Sequence, residues 1–274
     1  MDTVYLQTYS LGPSALEDFP SALKKVAEIG YAGIEFAGYG GLSVCEMKAL
    51  LKSLDLDPIS SHVGLDAVEK DIPYLKELGV PYVICPMVHL ATIEDVHNAA
   101  KEFNRVGKLC KEAGLRFGYH NHTGEFAVFD GKYAEEILME ETDPEYVCFE
   151  LDCGWATSAG IDAAAFLEKH ADRFELVHVK ETNAVTGVQK PIDFKSLPRD
   201  ENGRPIFPEG FWDEMDKVKR TNCPTGQGII DWKKIKEVGD RIGIKAYIVE
   251  REYDYKGGDI YGCVAEDLAA LKEI

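Results

Sequence analysis

The stretch Tyr82–His120, YVICPMVHLATIEDVHNAAKEFNRVGKLCKEAGLRFGYH, holds one complete structural unit. Tyr82-Val83-Ile84-Cys85 is a short apolar run, as a buried strand requires. From about Ile93 to Ala113 apolar residues recur at helical spacing. Gly114 follows where the helix must end, since glycine takes the left-handed cap conformation without strain. Phe117-Gly118-Tyr119-His120 then reads as strand again. Strand, helix and strand in this order mean two parallel strands joined by a right-handed crossover.

The unit recurs in both directions along the chain. Upstream, Val4-Tyr5-Leu6 precedes a helical pattern from about Ser14 to Ile29. Gly33-Ile34-Glu35-Phe36 precedes a helix starting near Ser43, and Ile59-Ser60-Ser61-His62 one ending at Leu78-Gly79. Downstream, strand five leads to a helix from about Lys132 to Met139. Val147-Cys148-Phe149-Glu150-Leu151-Asp152 leads to one from about Ala163 to His170. Leu176-Val177-His178-Val179 follows, then Ala246-Tyr247-Ile248-Val249-Glu250 and a final helix from about Asp259 to Lys272. Eight such units in 274 residues predict a single (β/α)8 barrel over residues 1–274. No GxGxxG or GxxxxGK[ST] follows the first strand, which removes the usual marker of an open nucleotide-binding sheet. His178 and Glu250 lie 72 residues apart, more than twice the usual spacing here, and residues 181–228 are rich in Pro, Gly, Asn and Asp. This predicts a long inserted loop after strand seven, on the active-site face.

The formal net charge of −18 argues against a nucleic-acid partner, which would require clustered Lys and Arg. Seven cysteines stand unpatterned, with no CxxC, as reduced thiols do. MDTVYLQTYSLG has neither a basic stretch nor an apolar core, and no run approaches 18 apolar residues. The expectation is a cytoplasmic protein with no membrane contact.

Barrel enzymes carry their chemistry at the C-terminal ends of strands. Those ends here hold Glu35, His62, His120 with His122, Glu150 with Asp152, His178 and Glu250; strands one and four are expected to lack such a group. Imidazoles and carboxylates at this density imply a divalent cation, and the mixture suits manganese, magnesium, cobalt or zinc. Lys180 lies two residues after His178, on the same side of its strand. Arg251 and Glu252 follow Glu250 towards the rim. Trp155, on the turn leaving strand six, offers a plane for stacking on a sugar.

Gly30-Tyr31-Ala32-Gly33-Ile34-Glu35-Phe36, Tyr119-His120-Asn121-His122, Glu150-Leu151-Asp152, Ala159-Gly160-Ile161-Asp162 and His178-Val179-Lys180-Glu181 together resemble the sugar phosphate isomerase/epimerase family. This is the xylose isomerase-like superfamily, which also contains endonuclease IV, inosose dehydratase and the ketose 3-epimerases. The resemblance runs from strand one to Glu250. It implies a TIM barrel with one metal, held by a Glu on strand five, an Asp on strand six, a His on strand seven and a Glu on strand eight. Asp152, His178 and Glu250 match those positions, but His120 occupies the strand-five Glu position. Either His120 is the fourth ligand or Glu150 supplies the missing carboxylate. Retaining the family's charge points to Glu150, so the expected ligand set is Glu150, Asp152, His178 and Glu250, with manganese as the first metal. Glu250, His122, His120 and Lys180 are then the expected catalytic groups. Glu35, His62, Trp155 and Arg251 are the expected substrate contacts. Endonuclease IV needs further histidines, and Trp155 stands where one of them would be.

A metal that polarises a carbonyl stabilises an enediolate, from which epimerisation, isomerisation or β-elimination all proceed. The first expectation is an isomerase or epimerase of a sugar or sugar-like polyol. The alternative is a lyase of the inosose-dehydratase or keto-glycoside-cleaving type; a non-catalytic sugar-binding subunit and an AP endonuclease stand further off. The expected partner is a small carbohydrate, and the resemblance admits a homo-oligomer. A phosphate grip would use glycine-rich backbone late in the barrel. Gly226-Gln227-Gly228 reads better as a turn into a helix at Asp231-Trp232, and Gly257-Gly258 stands alone, so an unphosphorylated polyol or glycoside is expected.

Overall fold

Eight parallel strands close into a barrel in chain order: β1 (Val4–Gln7), β2 (Gly33–Phe36), β3 (Asp57–His62), β4 (Tyr82–Cys85), β5 (Arg116–His120), β6 (Val147–Asp152), β7 (Phe174–Val179) and β8 (Ala246–Val249). Closure is made by β1, where Tyr5 is in register with both Gly33 of β2 and Ile248 of β8. The structure is a computed structural model describing residues 1, 3–190 and 196–274. Around the barrel run α1 (Phe19–Ile29), α2 (Val44–Leu54), α3 (Val68–Leu78), α4 (Ile93–Ala113), α5 (Ala134–Glu141), α6 (Cys153–Ser158), α7 (Ala163–Lys169), α8 (Phe211–Thr221), α9 (Trp232–Ile242) and α10 (Ile260–Lys272). A short antiparallel hairpin, Val128–Phe129 with Lys132–Tyr133, precedes α5. Among the described residues no helix is long and apolar enough to cross a membrane.

Local chemistry sets the helix ends where the sequence predicts them. Gly30, Gly79 and Gly114 all have positive φ and cap α1, α3 and α4. Ser43 and Thr92 begin α2 and α4 with reciprocal capping boxes to Glu46 and Asp95. Strand alternation divides the core. Outward residues such as Leu6, Ile34, Phe117 and Val177 pack against the helices. A small separate cluster of Tyr5, Ile84, Leu176, Ala246 and Ile248 fills the barrel interior. Two residues beyond Tyr5, Leu176 and Ile248 the inward positions become polar, at Gln7, His178 and Glu250, whereas Pro86 stands beyond Ile84.

The expected insertion leaves β7 but is more than a loop, because it contains α8. Its residues 191–195 lie outside the described ones. Thr182 bridges Asn222 at its foot. The Glu181 carboxylate accepts hydrogen bonds from the Thr182, Gly226 and Ile230 backbone N–H groups and from Trp232 Nε1, at 3.1, 2.9, 3.3 and 2.7 Å. Gly226 therefore serves the turn into α9.

Glu135, in the first turn of α5, is fully buried, and neither carboxyl oxygen has a hydrogen-bond partner. Burial, with Glu125 adding to it, raises its pKa well above the usual range, and Arg173 only partly opposes this. The folded chain therefore binds this proton more tightly than the unfolded chain. The stability this gives is complete below the unfolded carboxylate pKa and is lost as pH rises through the folded one. Glu135→Gln should accordingly raise Tm at pH 8, by about 2–4 °C for each kcal/mol recovered, and change it little near pH 4. Melting curves at both pH values check this; equal shifts would show that the carboxyl is not the pH-sensitive group.

Candidate metal centre at the barrel mouth

The polar side chains at the strand ends form two tiers. The lower tier is built on two carboxylates. Glu35 Oε1 accepts from Gln7 Nε2 at 2.7 Å and lies 2.6 Å from His178 Nε2 and 3.0 Å from His62 Nε2. Glu150 Oε2 lies 3.0 Å from His62 Nε2, 3.0 Å from His120 Nδ1 and 3.2 Å from His178 Nε2. The His62 ring stacks on His178 with centroids 5.2 Å apart.

The upper tier is formed by the remaining nitrogens of two of these imidazoles. His120 Nε2 is 3.8 Å from Asp152 Oδ2, and His178 Nδ1 is 3.9 Å from the same oxygen and 3.4 Å from Glu250 Oε2. His120, Asp152, His178 and Glu250 each offer one ligand atom, all within 4.8 Å of one another, and all four residues are buried. Asp152 Oδ2 and His178 Nδ1 are buried with no hydrogen bond, although Asp152 Oδ1 caps α6 through the Trp155 N–H at 2.7 Å. Two carboxylates and two imidazoles with orphaned donor atoms suit a divalent cation. His62, His120, Glu150 and His178 make a second compact group below.

Electrostatics separate the groups further. Burial disfavours every charge here, but His62 and His178 hold Glu35 below the usual carboxylate range. Burial and then Glu35 push Glu150 up to about 7. Burial lowers His122 to about 3, with Lys180 the next cause. Lys180 goes the other way: its burial is outweighed by Glu250 and Glu252, which raise its pKa. Its Nζ lies 2.8 Å from Glu250 Oε2, 3.2 Å from Glu252 Oε2 and 3.7 Å from Asp152 Oδ2, and 4.5 Å from the centre of the Trp155 ring. His122 meets the same indole at 5.4 Å between centroids.

The residues expected from sequence are thus mostly brought together, with a different division of places. Asp152, His178 and Glu250 share the upper tier with His120, whereas Glu150 lies in the tier below. Glu35 and His62, expected as substrate contacts, also lie in that lower tier. His122, Lys180 and Trp155 adjoin the upper tier. Arg251 turns away, its guanidinium bonded to Asp267 on α10 at 2.8 Å and to the carbonyls of Tyr253 and Asp254. Strand one does end in a polar group, Gln7, against expectation. Its place two residues after the inward Tyr5 is the signal that identifies it, and Glu252 stands in the same relation to Glu250. Asn121 was also missed; its Oδ1 accepts from the Asp152 N–H at 2.9 Å.

A family model described as the xylose isomerase-like TIM barrel matches residues 23–274. The chain belongs to that family. Within the xylose isomerase-like barrels it is similar to the inosose dehydratase of Geobacillus kaustophilus (strain HTA426), with 26% identity over 190 residues, covering 58% of this chain and 60% of that protein. The match thus spans less than two thirds of the relative's length. A sugar phosphate isomerase/epimerase from Parabacteroides distasonis ATCC 8503 is 26% identical with a TM-score of 0.73, over 98% of this chain and 92% of that one. A zinc-bound IolI protein shares the fold at 15% identity, with a TM-score of 0.67 over 99% and 95% of the two chains.

One backbone approach holds Lys180 in place. A Cβ on Gly154 would fall 2.6 Å from the Lys180 carbonyl oxygen and 2.8 Å from its Cβ. Replacing a helical glycine with alanine ordinarily stabilises by roughly 0.5–1 kcal/mol. Here Gly154→Ala is expected to destabilise instead, by about 1–3 kcal/mol, because backbone must move. The midpoint of urea unfolding tests the sign, and an increase would mean that α6 and β7 are not tightly apposed.

Proposed function

We propose that the chain is a divalent-metal-dependent lyase that removes the proton beside the carbonyl of an unphosphorylated keto-polyol and eliminates a β-hydroxyl, as a dehydratase does. The observation carrying this reading is the pair of orphaned buried donors, Asp152 Oδ2 and His178 Nδ1, within a set completed by His120 and Glu250. A cation held by these four supplies Lewis-acid polarisation of the substrate carbonyl. The set has two imidazoles rather than one, so zinc or cobalt replaces manganese as the first candidate.

The chain's own groups supply the proton transfers. His122 Nδ1 is buried without a partner and serves as the base. Lys180, held as an ammonium by Glu250 and Glu252, hydrogen-bonds the departing hydroxyl, which leaves as water with the proton that His122 has taken from carbon. Trp155 lies between them as an apolar wall. The likeness to inosose dehydratase supports elimination. The likeness to the Parabacteroides isomerase/epimerase, over nearly the full length of both chains, favours a second reading, in which the proton returns to the same or the neighbouring carbon.

Metal analysis of the purified protein should find one zinc or cobalt per chain, and Asp152→Ala should lose it; wild-type protein that binds no metal would sink this reading. With a keto-inositol in deuterated water, elimination gives an enone read by ultraviolet absorbance. The isomerase/epimerase reading instead gives recovered sugar carrying deuterium and no enone. His122→Ala should lower kcat/KM by about 10²–10⁴-fold, the range for loss of a general base.

A further inference from the structure

Each imidazole in the upper tier is held from below by a carboxylate. Glu35 Oε1 meets His178 at Nε2, 2.6 Å away, and Glu150 Oε2 meets His120 at Nδ1, 3.0 Å away. A neutral imidazole carries hydrogen on one nitrogen and a lone pair on the other. Hydrogen placed towards the carboxylates leaves lone pairs on His178 Nδ1 and His120 Nε2. Those two atoms, and not their ring partners, face Asp152 Oδ2, at 3.9 and 3.8 Å.

We infer that Glu35 and Glu150 are positioning residues that fix the tautomers of His178 and His120, and that Glu150 does not touch the metal. This rests on the metal-centre reading above. Glu150 precedes Asp152 by two residues on β6, which sets it about 6–7 Å deeper. Its Oε2 already has three imidazole nitrogens within 3.2 Å. His62 ties the two supports together, with Nε2 3.0 Å from Glu35 Oε1 and 3.0 Å from Glu150 Oε2. Gln7 steadies Glu35 from β1. The other oxygens, Glu35 Oε2 and Glu150 Oε1, accept no hydrogen bond, so each carboxylate acts through a single oxygen. The carboxylate lost from strand five has thus been replaced by an imidazole with a carboxylate behind it.

Zinc affinity, measured against a competing chelator, separates a support from a ligand. Glu150→Ala and Glu35→Ala should keep one zinc per chain and weaken it about 10–100-fold, the range for removal of an outer partner. Glu150→Gln, which retains an acceptor for His120 Nδ1–H, should fall nearer wild type. Asp152→Ala should lose the zinc. The second measurement needs no variant: long-range ¹⁵N–¹H spectra of the zinc-loaded, ¹⁵N-histidine-labelled protein should show zinc on His120 Nε2 and His178 Nδ1, with hydrogen on the opposite nitrogens. Loss of zinc in Glu150→Ala equal to that in Asp152→Ala would overturn the inference. So would zinc on His120 Nδ1, the result expected if the lower group of His62, His120, Glu150 and His178 held the ion. In the first case the four upper-tier residues would still be the site of the wild-type zinc, leaving the metal-centre reading intact; in the second the protein would still bind zinc, but in the lower group, and the placement on the upper tier would fail with the inference. Wild-type protein without zinc would defeat both.

Discussion

A carboxylate oxygen with three imidazole nitrogens within 3.2 Å of it sits inside the barrel, at Glu150. An ionised group this far from water is costly unless its neighbours compensate it. The barrel can bring those neighbours because strands β3, β5 and β7 each aim a histidine at the same height. Glu35 needs the same partners from the opposite side and receives His62, His178 and Gln7. Once these bonds are made, the outward nitrogens of His120 and His178 have little freedom, and the upper tier follows from the lower.

The fold was legible because its signals are periodic and local. The run from Tyr82 to His120 gives the unit, and the cap glycines at positions 30, 79 and 114 mark where helices yield to strands. Helix α8 was not legible. It lies in a segment whose Pro, Gly and Asn content reads as loop, and its exposed residues share no long apolar stripe with the barrel. The membership of the site was legible for the same reason as the strands, since polar residues at the ends of apolar runs stand out. The exception at Gln7 shows the limit: the residue lies just beyond the apolar run, which ends at Leu6.

The order within the site was not legible. Two residues of alternation place Glu150 and Asp152 on one side of β6 without deciding which tier meets a cation and which supports it. That depends on which nitrogen of each ring faces which carboxylate, a relation between β2, β5, β6 and β7 that no single stretch contains. Retention of the family's charge points to Glu150 as a ligand, and the structure sets Glu150 in the tier below Asp152, among His62, His120 and His178. The retained carboxylate is present, one layer further in.

Both ends of the excursion after β7 are gathered onto Glu181, which binds the backbone at Thr182 where the segment leaves the barrel and at Gly226 and Ile230 where it returns. Between those points the described part of the segment also rests on the rim of the site, where the Thr186 and Gly187 N–H groups donate to the Ser158 carbonyl and the Gln189 N–H donates to Thr123 Oγ1. The junction at Glu181 lets the excursion be shortened, lengthened or exchanged over evolutionary time while the barrel keeps its register. Specificity can then vary at the rim while the strands that carry the metal centre are kept.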